Sequence, residues 1–435
     1  MIERPFLFET TRMIATRWSG KSPTGIDRVC HAYLDHFGPR AQAVVQHRGV
    51  FRILSVRHSD ELFAMLTDAE GATRRKIAAF ALRAWFEGRA RADGGGATYL
   101  NVSHTDFDLP SHGRWVRECR LRPVYFLHDL IPITHARYCR PHAVTRHRGR
   151  VVNALQTAGG IVVNSHSTAH ELRAFAREHA LPLPPLAVAP LAVQNFGQAA
   201  KPVSGSRPYF LCLGTIEERK NHRLLFDIWL RLIAELGVDA PRLVIVGQWG
   251  ARSSAVRAMW KRHPELRRYV TLITRCNDKD VRDWIAGAQA LLMPTLAEGF
   301  GLPMVEGLAS GTPVIASDLS CFHEIGQGIP CLLDPADPAA WVRAILGFSA
   351  PGGERQRQLR LLDSYRPPVW GDHFASLEAW LAKLRGGGDP AGPMASSASP
   401  PQRQRSAPAP VMAQQAAGTD AGPPRKFSEA IKICP

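Results

Sequence analysis

The chain reads as an α/β protein, and three observations predict that class. Short apolar runs of strand length alternate with helix-compatible stretches over most of its length, the pattern of parallel sheets joined by crossover helices. The 435 residues, 45% of them apolar, suffice for two cores rather than one, since single cores seldom grow past roughly 250 residues. A stretch rich in Pro, Ala, Gly and Ser, Leu181 to Arg207, divides the runs into two groups and is expected to break any regular element.

In the first group, Pro5–Thr10, Thr98–Ser103, Pro123–His128 and Gly160–Asn164 each precede a helix-compatible stretch. In the second, the runs are Tyr209–Gly214, Leu243–Gly247, Val270–Thr274, Ala290–Pro294 and Pro313–Ser317. The expected organisation is a first domain over 1–195, a linker over 196–207 and a second domain over 208–367. A final amphipathic helix follows over 368–385. From 386 to 435 Ser, Ala, Pro and Gln dominate and large apolar residues are scarce, so burial there cannot offset ordering entropy. That tail is expected to be disordered and dispensable for chemistry.

No apolar run reaches the ~18 to 20 residues that cross a bilayer, and Met1-Ile-Glu-Arg-Pro lacks the layout of a secretory signal. The expected location is the cytosol, with peripheral contact at the inner face of the plasma membrane as the open alternative. The segment Arg74–Ala92 carries that alternative: Ile77, Phe80, Ala81, Ala84 and Trp85 share one helical face among six cations. Such a helix lies on anionic lipid or, as most do, packs its apolar face on a core.

A net charge of +16 selects an anionic partner: nucleic acid, membrane or a phosphorylated small molecule. The nucleic-acid class is set aside, because zinc-finger spacing, an aromatic RNP-like run and a basic helix with heptads are all missing. Eight scattered cysteines without a C-x-x-C pair suggest buried thiols. His135, Cys139, His142 and His147 cluster, but their spacing fits no zinc pattern, so no metal site is assigned. Ser19-Gly-Lys-Ser-Pro23 mimics a P-loop only in part: Ala15 stands where the first glycine belongs.

The most informative segment is Pro294-Thr-Leu-Ala-Glu-Gly-Phe-Gly-Leu-Pro-Met-Val-Glu306, continuing to Gly311-Thr-Pro-Val. A strand is expected to end near Pro294 and a helix to start near Leu302, with Pro303 in the first turn where proline is tolerated. Loop amides at such a helix start favour an anionic or hydroxyl-rich ligand. Glu298 in the loop and Glu306 one turn into the helix would accept hydroxyls at two places along an extended ligand. A second segment, Gly214-Thr-Ile-Glu-Glu-Arg-Lys-Asn221, puts Arg219 and Lys220 at the opening of the helix through Trp229, placed for charge-assisted bonds to a diphosphate.

Together these segments resemble the E-x7-E signature and the basic pair of the family-4 retaining glycosyltransferases, a GT-B group used in bacterial surface polysaccharide synthesis. The resemblance runs over about 1–385 and implies two Rossmann-like domains facing across a cleft. It further implies that Glu298 and the amides of Phe300, Gly301 and Leu302 hold the donor sugar, that Glu306 binds ribose, and that Arg219 and Lys220 neutralise the leaving diphosphate without a metal or other cofactor. Thr24-Gly25-Ile-Asp-Arg28 resembles the family's first turn facing the donor phosphates, and His128-Asp129 its strand-end pair facing donor sugar and acceptor. The final helix is implied to return to the first domain.

By the same resemblance the donor is a nucleotide sugar, with GDP-mannose, a UDP-hexose and dTDP-rhamnose all open and mannosyl transfer favoured. The base would be read around Leu272 to Asn277. The acceptor would be a glycan or a lipid-diphosphate-linked oligosaccharide. Two rivals remain: a GT-B-shaped binding or regulatory protein without turnover, and a nicotinamide-dependent oxidoreductase. The second is weakened because Gly299-Phe-Gly301 lacks the third glycine of a dinucleotide fingerprint. Ser165 is assigned no chemistry, since no nucleophile elbow surrounds it.

Overall fold

A computed structural model describes residues 4–20, 24–47, 49–68, 73–86, 95–193, 208–350 and 352–386. The first sheet has seven strands: β1 (Phe6–Glu9), β2 (Ala41–His47), β3 (Val50–Ile53), β4 (Thr98–Asn101), β5 (Arg122–Leu127), β6 (Gly160–Val163) and β7 (Leu186–Val188). Their order is β3-β2-β1-β4-β5-β6-β7, parallel throughout except for the β2–β3 pair. The second sheet has six parallel strands: β8 (Tyr209–Leu213), β9 (Arg242–Val246), β10 (Val270–Ile273), β11 (Leu291–Met293), β12 (Val314–Ser317) and β13 (Cys331–Leu333). Their order is β10-β9-β8-β11-β12-β13.

Both sheets change direction beside their first strand, between β1 and β4 and between β8 and β11. Loops leaving the carboxyl ends on either side of such a point diverge, which opens a crevice for a ligand. All nine expected runs carry a strand, because parallel strands buried on both faces read as near-continuous apolar runs; β1, β8 and β12 are buried at every position. Four strands escape that signal. In β2 the inward positions include Gln46, which is buried by donating to the Tyr99 hydroxyl, and β13 is only three residues long.

The strand β7 corrects the expectation that Leu181–Arg207 holds no regular element. It forms at the sheet edge beside β6. Prolines are tolerated there because they owe no donor to a further neighbour, and the Pro185 carbonyl accepts from the Ile161 amide at 2.8 Å.

The helix Trp370–Gly386 seats on the first domain. Phe374, Leu377, Trp380 and Leu381 are buried, and His373 bridges the Tyr33 hydroxyl at 3.0 Å and the Pro190 carbonyl at 2.9 Å. Gly160 makes room for it: a Cβ there would lie 2.5 Å from the Trp380 ring. Trp380→Ala should therefore cost about 3 to 5 kcal/mol, the range for emptying a large aromatic from a core, read as a lowered denaturant midpoint with unchanged slope.

In the helix Arg74–Phe86, Ile77 and Phe80 are buried, with Phe80 edge-on to His58 at 5.7 Å. Ala81, expected on that inward face, is exposed instead, which narrows the apolar stripe to the positions that touch the core. Residues 87–92 and the proposed tail lie outside the described residues, as does part of the P-loop-like segment. No helix among the described residues is long and apolar enough to cross a membrane.

Candidate active site

The loops leaving β8 and β11 form one wall of the cleft. After β8 the chain makes a short 3-10 turn, Glu218–Lys220, then passes through Asn221 in a left-handed conformation (φ 55°) into the helix His222–Leu236. Arg219 and Lys220 thus stand one turn ahead of that helix rather than within it. After β11, Pro294–Gly301 leads into the helix Leu302–Ala309. The loops are tied together: the Leu296 amide donates to the Arg219 carbonyl at 2.8 Å, and Arg219 Nη1 donates to the Ala297 carbonyl at 2.5 Å.

This tie brings three of the expected side chains into one cluster. Glu298 Oε2 accepts from Lys220 Nζ at 2.5 Å and from Arg219 Nη1 at 3.2 Å, while Arg219 Nη2 donates to Glu217 at 2.8 Å. Burial alone would push the Glu298 carboxyl up, but Lys220 and Arg219 outweigh it and hold it below the usual carboxylate range. Burial works against the Arg219 charge too, and Glu298 and Glu217 more than offset it. Glu298 and Arg219 are therefore held in their charged forms, within a cluster that pairs two basic side chains with two carboxyls.

Two glycines set the loop's course. Gly301 has φ +107°, a conformation open to glycine, and a Cβ there would also strike the Phe322 ring at 2.6 Å. Gly299 lies against the first domain, where a Cβ would meet the His128 carbonyl oxygen at 2.4 Å. The Gly299 carbonyl accepts from Ser165 Oγ at 2.9 Å and from Thr168 Oγ1 at 3.3 Å. Ser165 also caps the helix His166–Glu178, so the serine given no chemistry is a strut for the loop. Phe300 is buried and anchors the turn. The amides of Phe300, Gly301 and Leu302 donate to no acceptor among the described residues, leaving N–H groups at a helix start available to a ligand.

On the opposite wall, the helix Gly25–Phe37 begins where Gly25 meets Leu302: a Cβ on Gly25 would lie 3.3 Å from Leu302 Cδ1. The Thr24 amide donates to Asp27 at 2.7 Å, and Arg12 locks Asp27 from the other side at 2.7 Å. One residue further, Arg28 crosses to the second domain. It donates to Glu306 Oε1 at 2.6 Å and to Asp278 Oδ1 at 3.0 Å. Sequence reasoning assigned Arg28 no role; the T-x-x-D capping pattern just before it fixes the helix phase and was the available signal.

His128 is placed differently from the expectation. Its buried ring stacks on Phe126 at 4.4 Å and is bonded through Nε2 to the Val102 carbonyl at 2.8 Å. Burial pushes its pKa down to about 4, so the ring is neutral at pH 7 with its proton on Nε2. The residue meets the loop of residues 294–301 at Gly299 through its backbone carbonyl, while the ring is tied to the first domain. Leu272 lies within β10, the edge strand of the second sheet, and Asn277 follows it; Asn277 caps the helix Asp278–Gly287 through the Asp280 amide at 2.8 Å.

Two cavities adjoin this constellation. One of about 680 Å³ lies between the helices Gly25–Phe37, Asp278–Gly287 and Trp370–Gly386, with Arg28 and Glu306 on its wall. The other, about 510 Å³, opens at the carboxyl ends of β1, β2, β4 and β5. Its rim includes His104 and Asp106, both left-handed at φ 63° and 50°, the kind of strained backbone that gathers at binding loops. Among the described residues no group of three or more His, Cys, Asp or Glu is arranged to hold a metal ion.

The two facing Rossmann-like sheets, the cleft at their switch points and the loop geometry define a GT-B fold. HepE of Anabaena in complex with UDP and glucose shares it at a TM-score of 0.62 and 13% identity, over 87% of this chain and 99% of that one. Sucrose-phosphate synthase from Thermosynechococcus elongatus does so at 0.57 and 16%, over 88% and 100%. Residues 207–350 match the family described as Glycosyl transferases group 1. The serotype-specific mannosyltransferase WbdA of Escherichia coli is 32% identical over 130 residues, 30% of this chain and 16% of that protein. The O-antigen chain mannosyltransferase RfbU of Salmonella typhimurium is 37% identical over 81 residues, 19% and 23% of the two chains. The matches to these two relatives thus span less than a quarter of their length.

Proposed function

We propose that the chain transfers a hexosyl group from a nucleoside diphosphate sugar to a glycan or lipid-diphosphate-linked acceptor, with retention of configuration. The observation that carries this is the cluster of Glu298 with Lys220 and Arg219 beneath the unengaged amides of Phe300 to Leu302. A pyrophosphate arriving there takes up the two cations, which frees the Glu298 carboxylate to accept hydroxyls of the sugar. Leaving-group charge then develops beside fixed cations inside a closed cleft, the arrangement that lowers a transfer barrier most.

In this reading the chain's own cations do the work that a divalent metal does elsewhere, and no cofactor is required. The acceptor hydroxyl attacks from the face the leaving group occupies. The new glycosidic C–O bond forms as the anomeric C–O bond to the diphosphate breaks, and the hydroxyl proton passes to the departing phosphate oxygen. Configuration is thereby retained without a covalent enzyme intermediate. A mannosyl donor is favoured, since mannosyltransferases are among the relatives matched. The acceptor would enter from the first domain through the cavity at the ends of β1, β2, β4 and β5.

The deciding measurement is product formation by the purified chain with GDP-mannose, UDP-hexoses and dTDP-rhamnose in turn, with the anomeric configuration of the product read by NMR. Transfer from one of them with retention is expected. Nucleotide binding without turnover under every acceptor tried would overturn the enzyme reading.

A further inference from the structure

We infer that Arg28, a residue of the first domain, is a positioning residue that completes the nucleoside-binding site of the second by holding Glu306 across the cleft. The inference rests on the reading of Glu306 as the ribose acceptor and goes beyond it by making that subsite a product of both domains.

The geometry is specific. Glu306 sits inside the helix Leu302–Ala309 and is the only charged residue of that helix. Arg28 reaches it by Nη1 at 2.6 Å, engaging Oε1 alone, and the same guanidinium spends Nη2 on Asp278 at 3.0 Å. Oε2 of Glu306 therefore has no described partner and is the atom open to a hydroxyl. With Nη2 anchored on Asp278, the guanidinium presents Nη1 to Oε1 from a fixed direction, which a mobile ammonium would do less well. The contact spans the cleft, so a separation of the two walls would break it, and a ligand that needs an oriented Glu306 would favour the state in which the walls meet.

The charge balance points the same way. The Glu306 side chain is 7% exposed, and burial raises its pKa, with Arg28 as the main opposing influence. From the helix Asp278–Gly287, Asp278 acts against ionisation and Arg282 lines the same cavity; Asp35, His36 and Glu378 lie further around its wall. Without Arg28 the carboxyl would take up a proton more readily, and a protonated Glu306 accepts a hydroxyl poorly. Loss of Arg28 should therefore weaken nucleotide binding most at low pH and least at high pH.

The test is calorimetric binding of UDP, GDP and dTDP to the full chain at pH 6 and pH 8, for wild type, Arg28→Ala, Arg28→Lys, Glu306→Gln and the Arg28→Ala/Glu306→Gln pair. Arg28→Ala should raise Kd about tenfold at pH 6, the scale of one charge-assisted hydrogen bond, with a smaller rise at pH 8 and partial recovery in Arg28→Lys. In the Glu306→Gln background the same change should add little, because the two residues act through one contact. An unchanged Kd in Arg28→Ala, or an equal loss in both backgrounds, overturns the inference. Wild type that binds no nucleoside diphosphate would instead bring down the functional reading on which it stands.

Discussion

Lys220→Ala should lower kcat/KM at least ~100-fold with the correct donor, the loss typical of removing one transition-state-stabilising group. Glu298→Ala should do the same. The two differ in what they leave behind. Lys220→Ala keeps Glu298 bonded to Arg219, so the loop stays in place and the loss falls mainly on kcat, where the leaving diphosphate must be neutralised. Glu298→Ala leaves Arg219 with Glu217 and frees Lys220 to bind the diphosphate unopposed. Nucleotide product should therefore bind at least as tightly as in wild type while transfer falls. Single-turnover rates alongside product Kd separate the two cases, and near-normal turnover in both variants would refute the assignment of the cluster.

The legibility of this site from sequence follows from how local each feature is. Glu298, Gly299, Gly301 and Glu306 lie within one loop and one helix, so their spacing alone dictates a strand, a glycine turn and a carboxylate one turn into the helix. Arg219 and Lys220 were equally readable, because a short turn after a strand places them wherever the sheet places β8. The partners from the first domain were not readable. Arg28 lies 278 positions from Glu306 and Ser165 lies 134 from Gly299, and no periodicity encodes a meeting across two sheets. His128 shows the complementary failure: its position at a strand end was clear, but whether its ring turns to the cleft or to Val102 is decided by packing against Phe126. The edge strand β7 was hidden for a third reason, since the prolines flanking its three residues mask a backbone whose hydrogen bonds run to one side only.

The second large effect is expected from the smallest change, Gly299→Ala. A methyl group there would stand 2.4 Å from the His128 carbonyl oxygen and 2.8 Å from Asp129 Cβ. Neither neighbour is the far end of a flexible side chain, so neither can swing aside. The His128 carbonyl is further held by Asn164 Nδ2 at 2.8 Å, and the Gly299 carbonyl by Ser165 at 2.9 Å. Relief has to come from moving the loop of residues 294–301 and the first domain apart, which also pulls Glu306 from Arg28 and shifts Glu298 within the cleft. A displacement near 1 Å at a reacting centre is enough for about a hundredfold loss of rate, and that is the drop expected in kcat/KM. The cores on either side are untouched, so the thermal midpoint should change far less than activity does. A Gly299→Ala enzyme of ordinary activity would show that the two walls need not meet at this point for transfer to occur.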